Sequence, residues 1–432
     1  MFKRFVQAVL EHYVKRYFKK HPDVQLIVVA GSVGKTTTKM AIATVLAEQF
    51  RVRVEEGNHN AELSAPLAIL GIEYPTNIRS ITQWREVFKA AKIRIQQPTD
   101  VDVIVQELGT DRIGQLPHFG KYLKPQLAVI TAVADEHMEF FKTLDAVAME
   151  ELSAANFSEM ALINRDDIDG KYADDITNPY LSTYGSSGVA EYRFEETDFR
   201  VDVGYTGNII SPDGKPIPVQ VNVIGEAATR AVAAAAAVGI KLGMGREQLA
   251  SGIAKIVPVS GRMNLLRGQD ESYIIDDTYN SSPRAVTTSL ATLYQVPAPQ
   301  KIAVLGDMTE LGDMSAEAHA YAGTLCTPSQ LDWVITVGAQ SEKYLADEAR
   351  KQGCQVRSFQ NAQQAGAFVH QVMTHGSVIL FKGSQNNGYL EEAIKIVLHD
   401  TRDEAKLVRQ STEWIHKKEA YFAQFDVSTP ED

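Results

Sequence analysis

Residues 24–37 have the sequence VQLIVVAGSVGKTT, and this stretch decides which fold class the chain can adopt. The apolar run at 24–30 has the length of a buried β-strand and predicts one there. Glycines at 31 and 34 predict a tight turn, and residues 37–50 are predicted to form a helix. A strand, a glycine turn and a helix in this order are typical of an α/β domain with a parallel sheet.

The turn matches the phosphate-loop pattern GxxGK[ST]T and consists of Gly31, Ser32, Val33, Gly34, Lys35, Thr36 and Thr37. In such a loop the glycines let backbone amides point at phosphate oxygens, and the start of the helix adds its positive dipole end. Lys35 is expected to neutralise the β- and γ-phosphates, and Thr36 to bind Mg²⁺ through its hydroxyl. The stretch therefore predicts a site for a nucleoside triphosphate with Mg²⁺. A plain strand–helix turn with a surface lysine is the alternative.

Strand-like apolar runs alternate with helical segments along the rest of the chain, which predicts a mostly parallel, doubly wound sheet followed by a second α/β domain. The pattern restarts near residues 258–261. Residues 191–224 alternate polar and apolar side chains and predict a small antiparallel excursion, and 227–238 predict an alanine-rich helix. The further predicted strands lie at 101–105, 127–133, 161–164, 273–275, 301–305, 333–337 and 378–381.

The bulk composition is that of an ordinary globular protein. The chain has 432 residues, enough for two or three domains, with 44% hydrophobic and 22% charged residues. The net charge of −11 argues against a general nucleic-acid binder, which is usually basic. Two cysteines, Cys326 and Cys354, are too few for a disulfide framework and predict reduced thiols in the cytoplasm. The sequence predicts neither a membrane-spanning helix nor a signal peptide.

The first helix has an unusual pattern. Apolar side chains recur at helical spacing through residues 2–20, and Lys or Arg occupies six of the positions between them. Two interpretations stay open. The helix either packs on the body of the protein, or it lies on an anionic membrane surface or a partner protein, which would place the chain at the inner face of the membrane.

Two polar residues follow predicted strands. Glu107 comes after the strand near 101–105, and His137 comes shortly after the strand at 127–133. Ligands of an open α/β sheet bind beyond the carboxyl ends of its strands, so both residues are expected near the phosphate loop. A carboxylate and an imidazole there are suited to a second Mg²⁺ that bridges the γ-phosphate and an acyl substrate. Taken singly, each has a plainer interpretation, as a solvated glutamate or a structural histidine.

With these motifs in this order, the chain resembles the Mur ligase family, and most closely its D-alanyl-D-alanine-adding branch. The resemblance covers residues 24–395. Besides the phosphate loop, the matching motifs are GNHN at 57–60 with Pro66, ELG at 107–109, HME at 137–139, GR at 261–262, DDTYN at 276–280 with Pro283, GDMTELGDMSAEAH at 306–319 and KGS at 382–384.

The resemblance implies an ATP-dependent, Mg²⁺-requiring ligase that forms an amide bond through an acyl-phosphate. It implies a P-loop-type central domain at 23–258 that binds ATP and a Rossmann-like C-terminal domain at 259–432, after an amphipathic helix at 1–22. The implied substrates are a carboxylate acceptor, such as a muramyl peptide in cell-wall synthesis, and an amino acid or dipeptide such as D-Ala-D-Ala. No nucleic acid is implied as a partner.

The resemblance also assigns site residues. The implied catalytic residues are Lys35, Glu107, His137, Glu151 and Arg262. The implied Mg²⁺ ligands are Thr36, Glu107, His137 and Glu151, and the nucleotide would contact loop 31–37 together with Arg262, Asp277, Tyr279 and Asn280.

Four departures from the family pattern bear on substrate recognition or on the metal site. Members of this branch carry a uridine-binding domain before the phosphate loop, whereas one helix precedes it here, so a carrier other than UDP is an open alternative. Glu151, 14 residues after His137, stands at the position of the family's carbamylated lysine, and its carboxylate could supply the same charge. Residues 225–231 lack the histidine and asparagines that the family places near adenine, and Gln385 stands where arginine often follows KGS.

Two other functions stay open at this point. The chain could ligate a different acid, as the folylpolyglutamate and cyanophycin branches do. It could instead be a nucleotide-binding subunit that works only with a partner protein.

Overall fold

The computed structural model describes residues 2–55, 57, 60–385 and 388–425, which form two compact units. Unit 1 contains the chain up to Phe199 with Val203–Asn222 and Ala227–Val257. Unit 2 contains Arg200–Asp202, Val223–Glu226 and the chain from Pro258 onward.

Unit 1 is built on one sheet, in which the described residues form nine strands. The strands are β1 Gln25–Ala30, β2 Val52–Val54, β3 Val103–Glu107, β4 Leu127–Ile130, β5 Met160–Asn164, β6 Leu181–Gly185, β7 Tyr192–Arg200, β8 Gly204–Ile210 and β9 Ile217–Val221. Their order is β2-β3-β1-β4-β5-β6-β7-β8-β9. Pairing is parallel from β2 to β7 and antiparallel between β8 and β9. The predicted antiparallel segment therefore exists, but it extends the main sheet.

This strand order positions the site. β1 lies between β3 and β4, and all three strands are parallel. Their carboxyl ends therefore meet at one edge of the sheet, where ligands of α/β proteins bind. The segments that leave this edge are the phosphate loop after β1, the ELG segment after β3 and the residues leading to His137 after β4.

Helices cover the sheet of unit 1. They are α1 Phe2–Lys20, α2 Lys35–Leu46, α3 Ser64–Leu70, α4 Ile81–Gln96, α5 Gln115–Phe119, α6 Met138–Phe141, α7 Leu144–Asn156, α8 Glu226–Lys241 and α9 Arg246–Ala254, with a 3₁₀ turn at Gly170–Asp175. The predicted start of α2 at residue 37 was wrong by two residues. Gly34, with φ +85°, lets the chain turn into the helix directly at Lys35.

The apolar stripe of α1 is buried in unit 1. Tyr13, Val14 and Tyr17 belong to the main core together with strand β1, and Val6 and Leu10 pack in a smaller cluster with Trp84 of α4. Burial of that stripe agrees with the first of the two interpretations of this helix. The opposite, basic side of α1 is exposed.

Unit 2 has a second sheet, for which the described residues provide six strands. They are β10 Asn264–Arg267, β11 Tyr273–Asp277, β12 Lys301–Gly306, β13 Trp333–Val337, β14 Val356–Phe359 and β15 Val378–Lys382, in the order β10-β11-β15-β12-β13-β14. β10 pairs antiparallel with β11, and the other pairs are parallel. The carboxyl ends of β11, β15 and β12 thus lie side by side. The mixed, mostly parallel α/β fold class is confirmed.

The helices of unit 2 flank this sheet. They are α10 Pro283–Gln295, α11 Ser315–Thr324, α12 Ala346–Lys351, α13 Ala362–Val372, α14 Glu391–Val397 and α15 Thr412–Phe422, with 3₁₀ turns at Gly312–Met314 and Thr401–Lys406 and a π-helical turn at Ser341–Leu345. Within the described part of the chain, no helix combines the length and apolar character needed to cross a membrane.

Candidate active site

The phosphate loop packs directly on the segment that follows β4. Gly31 has φ +125°, and a Cβ atom there would lie 2.3 Å from the Thr131 hydroxyl oxygen and 2.8 Å from the amide nitrogens of Thr131 and Ala132. Only glycine fits such a position without a shift of the backbone. The Ser32 amide donates to the Ala132 carbonyl (2.9 Å), and the Ser32 hydroxyl accepts from the Ala134 amide (3.1 Å). The loop shape is therefore fixed by its neighbours.

Lys35 lies over this loop as a charged group. Its Nζ donates to the carbonyl oxygens of Gly31 (2.6 Å) and Ser32 (3.2 Å) and lies 3.4 Å from Oε2 of Glu136. Burial lowers the pKa of Lys35, but the carboxylates of Glu136, Glu151 and Glu107 outweigh it, and the net pKa is raised. An ammonium group is thus held where the motif places phosphate oxygens.

Glu107, at the end of β3, collects the polar groups around the start of α2. Its Oε2 accepts from the Thr36 hydroxyl (3.0 Å), and its Oε1 accepts from the Asn60 side-chain amide (3.0 Å). The structure therefore brings together two of the predicted metal ligands, Thr36 and Glu107, and adds Asn60 from the GNHN motif. Asn58 and His59 of that motif lie outside the described residues.

Lys39 is a residue that the sequence analysis missed. Its Nζ lies 3.6 Å from Oε2 of Glu107 and donates to the carbonyl oxygens of Glu55 (2.7 Å) and Gly57 (3.2 Å), and its side chain is 3% exposed. The available signal was its spacing. Lys39 follows Lys35 by four residues on α2, so both project from the same side of the helix. Lys39 ties the phosphate-loop helix to the segment around Gly57 and to Glu107.

Glu151 and Glu150 are adjacent on α7 but have different roles. Oε2 of Glu151 accepts from the Gly31 amide at 2.6 Å. Burial raises the pKa of Glu151 to about 7, although the nearby Lys35 ammonium opposes that rise. Both oxygens of Glu150 instead accept hydrogen bonds from the loop after β3 and the start of α5, namely from the Thr110 hydroxyl and the amides of Gly114 and Leu116. Glu151 is therefore the acid that meets the phosphate loop.

His137 starts helix α6 in a left-handed conformation, with φ +51°. Its Nε2 lies 3.5 Å from Oδ1 of Asp111 and 3.7 Å from Oε1 of Glu136. In the part of the chain that the structure describes, no three His, Cys, Asp or Glu side chains form a group suited to a metal ion. Of the four predicted ligands, the contacts thus join Thr36 with Glu107, whereas Glu151 is bonded to Gly31.

A buried ion pair lies at the neighbouring ends of β11 and β15 in unit 2. Nζ of Lys382 lies 3.0 Å from Oδ2 of Asp277 and donates to the Asn280 carbonyl oxygen at 2.5 Å. The Ser289 hydroxyl donates to the same Asp277 oxygen at 2.6 Å. The DDTYN and KGS motifs, which are about 100 residues apart in the sequence, are thereby joined into one cluster.

Arg262 and Tyr279 are also brought together. The Arg262 guanidinium carbon lies 4.3 Å from the centroid of the Tyr279 ring, a cation–π contact. The backbone carbonyls of Thr278 and Tyr279 accept from Arg409 at 2.7 and 3.1 Å, and Arg409 forms two further hydrogen bonds with buried Glu391. Arg409 lies outside every motif, so nothing in the sequence identified it.

The segment at 306–319 is held by its histidine. His319 is fully buried; its Nε2 accepts from the Met308 amide (2.9 Å) and its Nδ1 donates to the Ser315 carbonyl (2.7 Å). Burial lowers the pKa of His319, which keeps the imidazole neutral as this pairing requires. The Ser384 hydroxyl accepts from the Thr309 amide (3.2 Å) and so joins this segment to the KGS motif.

The fold and the phosphate loop define a nucleotide-binding α/β enzyme with a second α/β unit. Two family models match the chain: the Mur ligase middle domain at residues 29–239, and the Mur ligase glutamate ligase domain at 261–385. The chain belongs to the Mur ligase family and is an ATP-dependent ligase.

The chain is similar to a curated relative in sequence and to two solved structures in fold. The UDP-N-acetylmuramoyl-tripeptide--D-alanyl-D-alanine ligase of Bacillus subtilis is 26% identical over 396 residues, which cover 90% of this chain and 79% of the relative. MurF from Acinetobacter baumannii has a similar fold, with a TM-score of 0.74 at 21% identity, covering 90% of this chain and 79% of that one. MurF from Thermotoga maritima in complex with ADP also has a similar fold, with a TM-score of 0.73 at 22% identity. The match covers 92% of this chain and 84% of that one.

Proposed function

We propose that this ligase joins the amine of D-alanyl-D-alanine, or of a similar dipeptide, to the terminal carboxylate of a muramyl peptide in cell-wall synthesis. The observation that carries the proposal is the charged Lys35 over the phosphate loop, beside the pair of Thr36 and Glu107. The name of the Bacillus subtilis relative supports this pair of substrates. ATP and muramyl precursors are made inside the cell, so we propose that the enzyme acts in the cytoplasm.

The chemistry explains the need for ATP. A carboxylate is a poor electrophile, so an amine does not attack it at a useful rate. A carboxylate oxygen first attacks the γ-phosphorus of ATP; the bond from that phosphorus to ADP breaks, and an acyl-phosphate forms. The amine nitrogen then attacks the carbonyl carbon and loses a proton, and the bond to phosphate breaks. The products are the amide, ADP and inorganic phosphate.

The residues of unit 1 fit the charges that develop in these steps. Lys35 and the loop amides are proposed to stabilise the phosphoryl oxygens of the transition states. The hydroxyl of Thr36 and the carboxylate of Glu107 are hard oxygen donors 3.0 Å apart, the donor type that Mg²⁺ prefers. These two residues would hold Mg²⁺, which supplies positive charge at the phosphates when bound. We propose His137 as a further ligand, and Glu151 as both a ligand and the anchor of Gly31.

In unit 2 we propose Arg262, Asp277, Tyr279 and Asn280 as contacts of the nucleotide. The contact between Arg262 and Tyr279 offers a cation beside an aromatic face. Lys382 holds Asp277 and the Asn280 carbonyl in place, which supports a preorganised surface.

The test measures phosphate release and product mass with Mg-ATP, a UDP-linked muramyl tripeptide and D-Ala-D-Ala, each omitted in turn. A second series replaces the acceptor by the same muramyl tripeptide without UDP. We expect release that requires ATP, an acceptor and the dipeptide, with a pentapeptide product. Lys35→Met should abolish release, whereas Lys215→Met, at an exposed position, should not.

Each other result assigns a different function. If phosphate release requires a different acid, that acid and not a muramyl peptide is the acceptor. ATP binding without release in any mixture would contradict a self-sufficient ligase and favour a subunit that needs a partner.

A further inference from the structure

Helix α1 has an outer face that the core does not use. Its exposed side carries Arg4, Lys15, Arg16, Lys19 and Lys20. Residues 2–20 contain six Lys or Arg and one acid, Glu11, in a chain whose net charge is −11. Glu11 points to the flank, where its Oε1 lies 2.7 Å from Nε2 of His118. Positive charge is therefore concentrated on the outer side of this helix.

Helix α4 lies beside α1 and runs in the same direction. Near their starts, Val6 and Trp84 share one cluster; further along, the rings of Tyr13 and Phe88 are 6.1 Å apart. At the far end, Nε2 of His21 lies 3.3 Å from the carbonyl oxygen of Ile95. Both helices pack on the same core, so their exposed sides face the same way.

The exposed side of α4 is also basic. The buried side of this helix consists of Trp84, Val87, Ala91 and Ile95. The exposed residues on the other side include Arg85, Lys89 and Lys92, with Glu86 as the acid among them. Together, the exposed sides of α1 and α4 are called the basic face.

Large apolar side chains are exposed at one end of the basic face. Phe2 and Phe5 are 42% and 61% exposed at the start of α1; Ile78, in the loop before α4, and Ile81, its first residue, are 52% and 60% exposed. Because the two helices are parallel, these four side chains lie at the same end. The indole nitrogen of Trp84 donates to the Ile78 carbonyl at 2.9 Å and holds that loop in place. Clustered exposed apolar groups commonly mark interaction sites.

We propose that the basic face docks on an anionic lipid surface, with Phe2, Phe5, Ile78 and Ile81 inserted among the lipids. A nucleic acid or an acidic protein would pair with the cations but leave the apolar end in water. A membrane interface accommodates both the cations and the apolar end. Its phosphate headgroups attract Lys and Arg, and its acyl boundary accepts Phe and Ile. Docking of this face on lipid is independent of which acid the enzyme ligates.

The test is flotation of the full chain with vesicles of phosphatidylcholine alone, and with vesicles that also contain phosphatidylglycerol. We expect binding only to the anionic vesicles, and weaker binding as salt is raised. Lys15→Glu/Lys19→Glu should weaken binding by roughly tenfold or more, since each basic residue near the surface adds to the attraction. Lys215→Glu/Arg350→Glu changes the net charge equally at exposed positions elsewhere and should bind like the unmodified protein.

A second variant tests the apolar end without changing charge. Phe5→Ser/Ile81→Ser should weaken binding to anionic vesicles and leave thermal unfolding unchanged, because both side chains are mostly exposed. Equal binding to both kinds of vesicle would overturn the proposal. Equal binding of anionic vesicles by Lys15→Glu/Lys19→Glu and by Lys215→Glu/Arg350→Glu would also overturn it. So would binding to RNA or an acidic protein in place of vesicles.

Discussion

The backbone amide of Gly31 donates a 2.6 Å hydrogen bond to Oε2 of Glu151, which ties the first residue of the phosphate loop to helix α7. Glu151 is 2% exposed, and burial raises its pKa to about 7. Its carboxylate has two separable effects. It accepts a hydrogen bond that fixes the loop, and when ionised it adds negative charge close to Lys35.

Two substitutions of Glu151 should separate these effects. Glu151→Ala removes the acceptor of a buried amide and should lower the free energy of unfolding by about 1–3 kcal/mol. Glu151→Gln keeps an acceptor oxygen, so its stability should stay within about 1 kcal/mol of the unmodified protein. If the charge supports Mg²⁺ binding, Glu151→Gln should still lower ligation by roughly tenfold to a hundredfold. Urea unfolding measures the effect on stability, and phosphate release at several Mg²⁺ concentrations measures the effect on ligation.

Glu150 provides the matched control for this pair. Both of its oxygens accept hydrogen bonds, from Leu116 and Gly114 among others, so Glu150→Gln should lose stability where Glu151→Gln does not. Identical behaviour of the two glutamine variants would contradict the assignment of Glu151 to the loop.

Lys39 should matter for both stability and catalysis. Lys39→Met removes the ammonium that faces Glu107 and the carbonyls of Glu55 and Gly57, and it leaves a buried carboxylate without that partner. We expect a loss of about 3–5 kcal/mol in the free energy of unfolding. We also expect a raised KM for ATP, because α2 carries the phosphate loop.

The control for Lys39 is Lys92→Met, at an exposed position on α4, which should change stability by less than about 0.5 kcal/mol. Lys39→Arg keeps the charge and should recover part of the stability. Full activity in Lys39→Met would show that this lysine does not position the site.

Sequence alone was sufficient where the signal is local. The phosphate loop is contiguous, and the parallel sheet followed from alternating strands and helices. The rule that ligands bind at the carboxyl ends of strands placed Glu107 near Thr36, and the structure shows them 3.0 Å apart. Here one short motif and one topological rule contained the required information.

Long-range contacts were not predictable in the same way. Glu150 and Glu151 look alike in sequence, and only the turn of α7 decides that one faces α5 and the other faces Gly31. Arg409 reaches a loop 130 residues earlier in the chain. Strand β10, Asn264–Arg267, was missed because only its two central residues are apolar and its two ends are polar, so it does not form an apolar run.

Arg409 is predicted to position the DDTYN loop. Arg409→Met leaves the buried carboxylate of Glu391 without its bidentate partner and removes the donors to the carbonyls of Thr278 and Tyr279. We expect a loss of about 3–5 kcal/mol in the free energy of unfolding and weaker ATP binding. Arg409→Lys keeps the charge but not the planar guanidinium. Its unfolding free energy and ATP affinity should therefore lie between those of the unmodified protein and Arg409→Met.

Arg402→Met serves as the comparison for Arg409, because Arg402 pairs with Asp400 at an exposed site. The stability of this variant should stay close to that of the unmodified protein, because exposed ion pairs contribute little. Unfolding and ATP binding can be measured on both variants by urea titration and calorimetry. An unchanged ATP affinity in Arg409→Met would limit this residue to a structural role.

Asp276 should make stability fall as pH rises. It is fully buried, and burial raises its pKa to about 6 although hydrogen bonds from Thr278 oppose the rise. Between its ordinary value of 3.8 and about 6, the unfolded chain releases this proton and the folded chain retains it. The folded state then binds more protons than the unfolded state, so this group destabilises the fold progressively across that window and no further above it.

Urea unfolding at a series of pH values measures this effect, with Asp276→Asn as the variant that cannot titrate. The unfolding free energy of the unmodified protein minus that of Asp276→Asn should fall as pH rises from about 4 to about 6 and then stay level. For Asp102→Asn the same difference should change in the opposite direction, rising as pH rises. The hydrogen bonds from Arg51 lower the pKa of Asp102 to about 2, so the stabilisation by its carboxylate is lost as pH falls. A pH-independent difference for Asp276→Asn would mean that Asp276 ionises as readily in the folded chain as in the unfolded one, and that burial at the end of β11 does not hold its proton.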